Sequence, residues 1–512
     1  MYSLNLPLQA IVASPVYRWW VYAAVATGTF ISVADQSATA IVIAPIAEDF
    51  GADIPTAQWL AIGYMLSVSA LMMPAGALSD MLGRRRMWVL GLVLFAGASL
   101  LTSFSVSFWM LVVCKILMGV GASAIQANGM AMVAGAFSDG ERGKAAGLHM
   151  TAVGLGAVSG PILGGAIDSL LDWRAIFVFV AVVSVAAAVI ALAVLRPEER
   201  QQADTASKSR SSLREFDWAG TVLSAAFLLV AMLVVTFAMD QGWLSPVIVI
   251  GSVVSVALFA VFLVWERRHP SPMLPLSLFR SSAFSIGSAA RLVSFVGSSA
   301  TFFLMPFFLV AGLGLSTAEA ALYLIPSALT LTLFGPLSGR ISDKIGTRIP
   351  AVVGMLISTI SMYLFSTVTL DTSPLIVAVA SGLSGMGMSI FMAPNTSAIL
   401  GSARREQYGI VSAFLNLTRN GAHIVGIAVP TAVVVAVMGS MGYDADLSDA
   451  DKLQDLGLRT AYVAAMARAF QISVVLMLVA TLLALVTPSC ANATVLERVG
   501  PAMTTKPKSD VS

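Results

Sequence analysis

The chain has 512 residues, 58% of them hydrophobic and only 11% charged, with a net charge of +2 and a mean hydropathy of +0.88. A soluble globular protein carries about 25% charged residues, so a chain this poor in charge cannot cover its surface with polar groups, and most of that surface must face lipid. Two Cys (114 and 490) and three His (149, 269 and 423), scattered along the chain, exclude a disulfide framework or a metal centre, and cations dispersed over short gaps exclude a nucleic-acid interface.

A spanning helix needs about 20 apolar residues. The first such run, near 19–42, carries Asp35, a poor feature for a signal-peptide core, and is read as a spanning helix. Runs follow near 58–80, 87–106, 109–136, 145–169 and 174–195. A polar linker at 196–216 then separates them from runs near 217–239 and 245–265. After a gap at 266–282 come runs near 283–312, 318–339, 349–370, 374–400, 408–438 and 468–488, the last two separated by an acidic loop within 440–467. The expectation is an all-α integral membrane protein with fourteen spanning helices. It divides into a six-helix bundle (1–195), a linker (196–216), two inserted helices (217–265), a loop (266–282), a second six-helix bundle (283–490) and a tail (491–512).

Most of the 29 Lys and Arg fall in the even-numbered gaps and the two ends, including Arg84, Arg85, Arg86, Arg142, Lys144, Arg267, Arg268, Arg340, Lys344, Arg348, Arg404 and Arg405. Arg174, Lys452, Arg459 and Arg468 fall in the opposite gaps. The positive-inside rule then places both termini in the cytoplasm. The nine Trp lie at or near run ends, as interfacial anchors do.

The gap after the second run reads GALSDMLGRRR (76–86), and the gap after the tenth reads GRISDKIGTR (339–348). Gly76, Asp80, Gly83 and Arg85 superpose on Gly339, Asp343, Gly346 and Arg348. A further echo sets GVGAS (119–123) against GMGMS (385–389). Two repeated six-helix halves with an inserted pair between them are the organisation of a secondary transporter. Nothing in the chain provides an H-E-x-x-H helix, paired catalytic acids or a nucleophile elbow, so no enzyme is expected.

These residues resemble the major facilitator superfamily, and within it the fourteen-helix drug:proton antiporter branch. GALSDMLGRRR matches the superfamily loop signature G-x-L-x-D-x-x-G-R-R/K. LVVCKILMGVGA (111–122) matches L-x-x-R-x-x-x-G-x-G-A with Lys115 in place of Arg. GLHMTAVGLGAVSGPILGG (147–165) matches the antiporter signature G-x8-G-x3-G-P-x2-G-G through Gly147, Gly156, Gly160, Pro161, Gly164 and Gly165. The first helix departs from the branch, with Ser37 for Thr and one residue more between Asp35 and Pro45. The resemblance implies proton-driven export across the plasma membrane of a small lipophilic or amphipathic compound such as a drug, dye or antibiotic. No cofactor beyond the proton gradient is implied; the partners are substrate, protons and membrane lipid, and a monomer is favoured. The rival reading is a dedicated exporter of one endogenous metabolite, lipid or self-made antibiotic, possibly anionic, because three intramembrane cations stand against one acid.

Asp35 is the one acid deep in a run, and a carboxylate at that depth is paired, water-facing or protonated. Counting 1.5 Å per residue places Lys115 at a similar depth, so it is a functional partner or a structural ion pair. Protonation weakens such an attraction, which is the exchange an antiporter needs. Gln126 and Asn128 are candidate cavity residues, and Arg291 contacts either substrate or backbone carbonyls. Asn416, Arg419, Asn420 and His423 form a polar stripe at i, i+3 and i, i+4 spacing, with a packing role favoured for His423. Pro161 deprives its helix of a hydrogen bond, and Gly156, Gly160, Gly164 and Gly165 allow close helix approach on one side. In the loop motif, Gly76 and Gly83 permit a close turn, Arg84 and Arg85 hold the gap inside, and Asp80 latches the inner mouth. Asp343 and Arg348 form a second, weaker latch.

Overall fold

The computed structural model describes residues 16–52, 54–195, 217–242, 245–270, 272–315, 317–443 and 456–488. Among these there are fourteen helices of nineteen residues or more and no strand. They are α1 (Tyr17–Phe50), α2 (Trp59–Leu82), α3 (Arg84–Ser103), α4 (Phe108–Ala136), α5 (Arg142–Leu170), α6 (Trp173–Val194), α7 (Trp218–Gln241) and α8 (Pro246–Arg268). The second half comprises α9 (Ser282–Phe307), α10 (Thr317–Ile345), α11 (Arg348–Ser366), α12 (Pro374–Gly401), α13 (Tyr408–Ser440) and α14 (Leu456–Val486). Twelve are long and apolar enough to cross a membrane by length and composition alone. The other two, α1 and α13, carry Asp35 and the Asn416–Arg419 stripe.

A helix in lipid must satisfy its own backbone, so long uninterrupted helices are the outcome this composition dictates. Their ends follow local chemistry. Ser107 accepts from the Met110 amide at the start of α4, and Asp217 accepts from the Gly220 amide at the start of α7. Pro246 and Pro374 sit in the first turns of α8 and α12, where no amide hydrogen is missed. α9 continues past Pro306 into a single π-helical turn over Phe308–Gly312.

Three details differ from the sequence reading. α14 begins at Leu456, twelve residues before the expected start, because LGLRTAYVAAMARAF has helix-forming side chains on every face. Arg459 and Arg468 therefore lie inside a helix, and Arg459 donates to the Gly312 carbonyl at the π-turn. α1 runs on through Pro45 to Phe50 and ends at Gly51 in the left-handed region (φ 61°), whose amide reaches back to Ala47 and Glu48. Finally, GALSDMLGRRR is almost wholly helical: only Gly83 (φ 97°) breaks α2 from α3, and Gly76 lies one and a half turns inside α2. Gly346 (φ 89°), followed by Thr347, makes the corresponding two-residue break between α10 and α11. The linker at 196–216, the acidic segment at 444–455 and the tail from 489 onward lie outside the described residues.

One hydrophobic core joins residues of α1–α6, such as Val25, Trp88, Phe95, Ile125 and Phe177. Another joins α9–α14, through Phe308, Met355, Phe391, Met466 and Phe470. A third lies along the seam, where Met73, Met130 and Ala146 meet Tyr408, Val411 and the α7–α8 side chains Leu228 and Phe262. Across the seam, α5 packs on α10 and α12, while α13 packs on α2 and α4. The inserted pair lies against α2 and α13 through α7, and α8 packs on α7. Outer faces carry bare apolar side chains such as Val182, Val189, Val253 and Leu333, the surface that lipid solvates.

Candidate functional site

At the end of the bundle where α1 begins, each half ties down a helix of the other. The Asp80 carboxylate accepts from the Gly409 and Ile410 amides at 3.0 and 2.9 Å, the opening turn of α13. Asp343 accepts from the Gly143 and Lys144 amides at 2.8 and 2.9 Å, the opening turn of α5. A helix start leaves four amides unsatisfied and carries partial positive charge, so a carboxylate there meets both needs. Asp80 also pairs with Arg84 at 2.9 Å, and Arg84 donates onward to the Arg405 carbonyl at 2.6 Å. Arg85 turns instead to the Leu192 carbonyl at the end of α6, and Arg348 is exposed. Beside them Arg18 and Lys144 pair with Glu141. Burial works against the Glu141 charge, but hydrogen bonds from Lys144 and Ser138 and the two cations hold its carboxyl below the usual range.

Close backbone approach makes this seam possible. A Cβ on Gly76 would fall 2.6 Å from the Ala413 methyl, and one on Gly339 would collide with the Gly143 carbonyl. Gly76 thus serves contact with α13, where the sequence suggested a turn. On α5, Gly147 abuts the Gly335 carbonyl of α10, while Gly156, Gly160 and Gly164 abut α1 at Phe30, Ala34 and Ala38. Gly165 has no heavy atom within 4 Å of its would-be Cβ, so it does not share the close-approach face expected for it. Four residues separate each of the other three along the helix; Gly165 is rotated 100° away.

Deeper in the first half, Lys115 of α4 reaches both oxygens of Asp35 on α1 at 3.0 and 3.1 Å. The side chains are 1% and 0% exposed, a depth at which neither charge survives without the other. Lys115 also donates to Thr39 at 2.8 Å and lies over the Phe177 ring at 4.6 Å and the Tyr64 ring at 5.5 Å. The ammonium therefore has three oxygen acceptors and two aromatic faces, a complete shell.

At the seam between the halves, Gln126 of α4 is the meeting point. Its amide donates to Ser32 at 3.3 Å, its backbone carbonyl accepts from Asn416 at 2.9 Å, and its side-chain oxygen lies 3.5 Å from Arg419. Arg419 also reaches Asn420 at 3.4 Å. Arg291 of α9 is buried (2% exposed) and donates to the Leu415 carbonyl at 3.2 Å and to Thr396 at 3.1 Å. Asn128 does not join this group; its amide bonds the Ala124 carbonyl of its own helix. The His423 side chain lies outside the described residues.

Sequence reasoning passed over several contributors. Thr39 and Tyr64 complete the Lys115 shell, Ser32 links α1 to Gln126, and Thr396 holds Arg291. Hydroxyl and aromatic residues are common in spanning helices, so nothing marked them. His149 is different: it is one of three His in the chain, sits inside the GLHMTAVGLG stretch, and is 3% exposed. Its rarity was the available signal.

The Major Facilitator Superfamily profile matches residues 25–427. The "Riboflavin transporter RibZ" of Clostridioides difficile (strain 630) is 28% identical over 411 residues, spanning 80% of this chain and 87% of that protein. The "Tetracenomycin C resistance and export protein" of Streptomyces glaucescens is 29% identical over 427 residues, spanning 82% and 76%. Among solved structures, the human organic anion transporter MFSD10 (TETRAN) shares the fold with a TM-score of 0.61 at 16% identity, over 91% of this chain and 100% of that one.

Proposed function

Since the chain belongs to the major facilitator superfamily and is a multi-pass protein of the plasma membrane, we propose that it exports lipophilic or amphipathic compounds in exchange for protons. Both termini lie in the cytoplasm, and the two six-helix halves rock about the seam to expose a central site to either side in turn. The observation that carries the reading is the Asp35–Lys115 pair, an acid and a base neutralising each other with no access to water. A proton arriving on Asp35 ends the attraction, and a departing proton restores it. That is a two-state element whose balance protons set. On this reading the end where Asp80 and Asp343 cap the opposite half is the inner one, and the arrangement corresponds to the inward-closed state.

The compound class follows from the apolar seam and from relatives that carry antibiotic-export names. A second reading, a dedicated exporter of one endogenous metabolite, has its own support. Arg291 and Arg419 give the seam a cationic side suited to anionic or oxygen-rich molecules, and one relative is named for riboflavin. Everted vesicles loaded with ethidium or riboflavin under an imposed pH gradient separate the two. Gradient-driven uptake that Asp35→Asn abolishes supports proton antiport; uptake undiminished in Asp35→Asn refutes it. Ethidium carried without riboflavin favours the multidrug reading, and the reverse favours the dedicated one.

A further inference from the structure

Among the buried polar side-chain atoms of the first half without a hydrogen-bond partner are three on three helices: the Thr29 hydroxyl of α1, the Trp88 indole nitrogen of α3 and the His149 Nδ1 of α5. They surround one position. A Cβ on Gly129 would stand 2.8 Å from His149 Cε1, 3.0 Å from the Thr29 oxygen and 3.5 Å from the Trp88 ring. Thr29 is 1%, Trp88 0% and His149 3% exposed. Buried polar groups are paired almost everywhere in proteins, and those that are not mark a bound water or a working site. A small polar nest walled by α1, α3, α4 and α5 suits water and protons.

The nest lies on a path. Thr29, Ser32 and Asp35 follow one another at three-residue steps up α1, about 4.5 Å apart along the axis. Ser32 is fully buried, accepts from Gln126, and its carbonyl accepts from the Tyr64 hydroxyl that also lines Lys115. Thr29 is thus on the side of Asp35 toward the Asp80 and Asp343 latch. The adjoining Leu148 carbonyl accepts from Tyr22, about two turns further toward that end. Across the seam, the Arg419 guanidinium of α13 lies 3.5 Å from the Gln126 side chain, three residues before Gly129 on α4, and the Arg291 guanidinium of α9 is buried behind it on the Leu415 carbonyl and Thr396; both cations act on His149 through the seam.

Resting on the antiport reading above, we infer that Thr29, Ser32 and His149 form the inner proton relay, carrying the proton from Asp35 to the cytosol, with Arg291 and Arg419 as its gate. The proton leaves the Asp35 carboxyl and passes through the hydroxyls and water, each oxygen giving up one proton as it takes one. It then rests on His149 as imidazolium and leaves to cytosolic water, returning the imidazole to neutral. With the inner end closed, the two guanidiniums oppose an imidazolium and the relay is shut, so no proton leaks inward. When α9 and α13 swing away with the second half, that repulsion goes and His149 accepts.

The test uses the full chain in proteoliposomes, with ethidium and riboflavin as probes and an internal pH dye. His149→Gln and Thr29→Val are compared with wild type. Thr29→Val removes the hydroxyl at nearly constant volume, so it reports on the relay even where His149→Gln folds poorly. Both are expected to slow probe-driven proton movement at least about tenfold while probe binding stays within about twofold. Imidazole added to His149→Ala should restore flux, which a packing role would not allow. Wild-type proton flux in Thr29→Val, or a loss confined to His149→Gln, overturns the relay. A wild type that moves probe with no proton movement overturns the antiport reading instead.

Discussion

Lys115 stands where the resemblance leads one to expect Arg, and its shell explains why a lysine serves. Its three hydrogens find the two Asp35 oxygens and Thr39, and the remaining directions are filled by Phe177 and Tyr64. A planar guanidinium would need five acceptors at fixed angles. Removing one partner of such a pair leaves an uncompensated buried charge, at a cost of about 3–5 kcal/mol. Lys115→Met should therefore lower the unfolding midpoint in detergent sharply, and Asp35→Asn combined with Lys115→Met should recover most of the loss. Intramembrane rarity pointed to Asp35, and depth counting placed Lys115 level with it, so this pair was legible from the sequence. The arrangement of Gln126, Asn416 and Arg419 was only half legible, because it depends on which faces of α4 and α13 meet across the seam. Asn128, two residues from Gln126, turns into its own helix for the same reason.

At the scale of elements, helix number and order were readable because lipid enforces length and hydropathy, while helix ends were not. The start of α14 is a case: Arg459 and Arg468 read as loop residues, yet one bonds a carbonyl exposed by the π-turn of Phe308–Gly312 and the other bonds Gln471 within the helix. The glycine pattern sorts into contacts that make distinct predictions. Gly147→Val forces a side chain into the Gly335 backbone and should hold the inner ends of α5 and α10 apart. Spin labels there should report a longer distance, whereas Gly165→Ala, with open space around it, should report none. The two caps make a related prediction. Charge-assisted bonds to amides are worth about 1.5–3 kcal/mol, so Asp80→Asn or Asp343→Asn should shift the balance toward an open inner end at least about tenfold. Cysteine labelling at the inner ends of α5 and α13 reads that shift directly. Asp80, backed by Arg84, should show the larger effect.

For the whole molecule, the end where α1 begins is sealed by charge and the rest of the seam by small residues and methionines. Because the Glu141 carboxyl is held below its ordinary range in the folded protein, its ion pairs contribute fully above the unfolded carboxylate value of about 4.3 and are lost as pH falls through the lower folded one. Between pH 8 and 5 this cluster should therefore leave inner closure unchanged, and labelling rates in Glu141→Gln should run parallel to wild type over that range. Any pH response of closure in that window then belongs to other groups, the Asp80 and Asp343 carboxyls of the two caps among them. The short breaks at Gly83 and at Gly346–Thr347 bear on how closure ends. Asp80 is three residues from a joint with no slack, and beyond it α3 is pinned by the wholly buried Trp88. A carboxylate mounted this way cannot let go by a flick of a loop; it travels only when its bundle does. The latch and the load are one rigid part, so the force that parts Asp80 from α13 is delivered undiminished to the helices that line the seam, with no slack in between to absorb it.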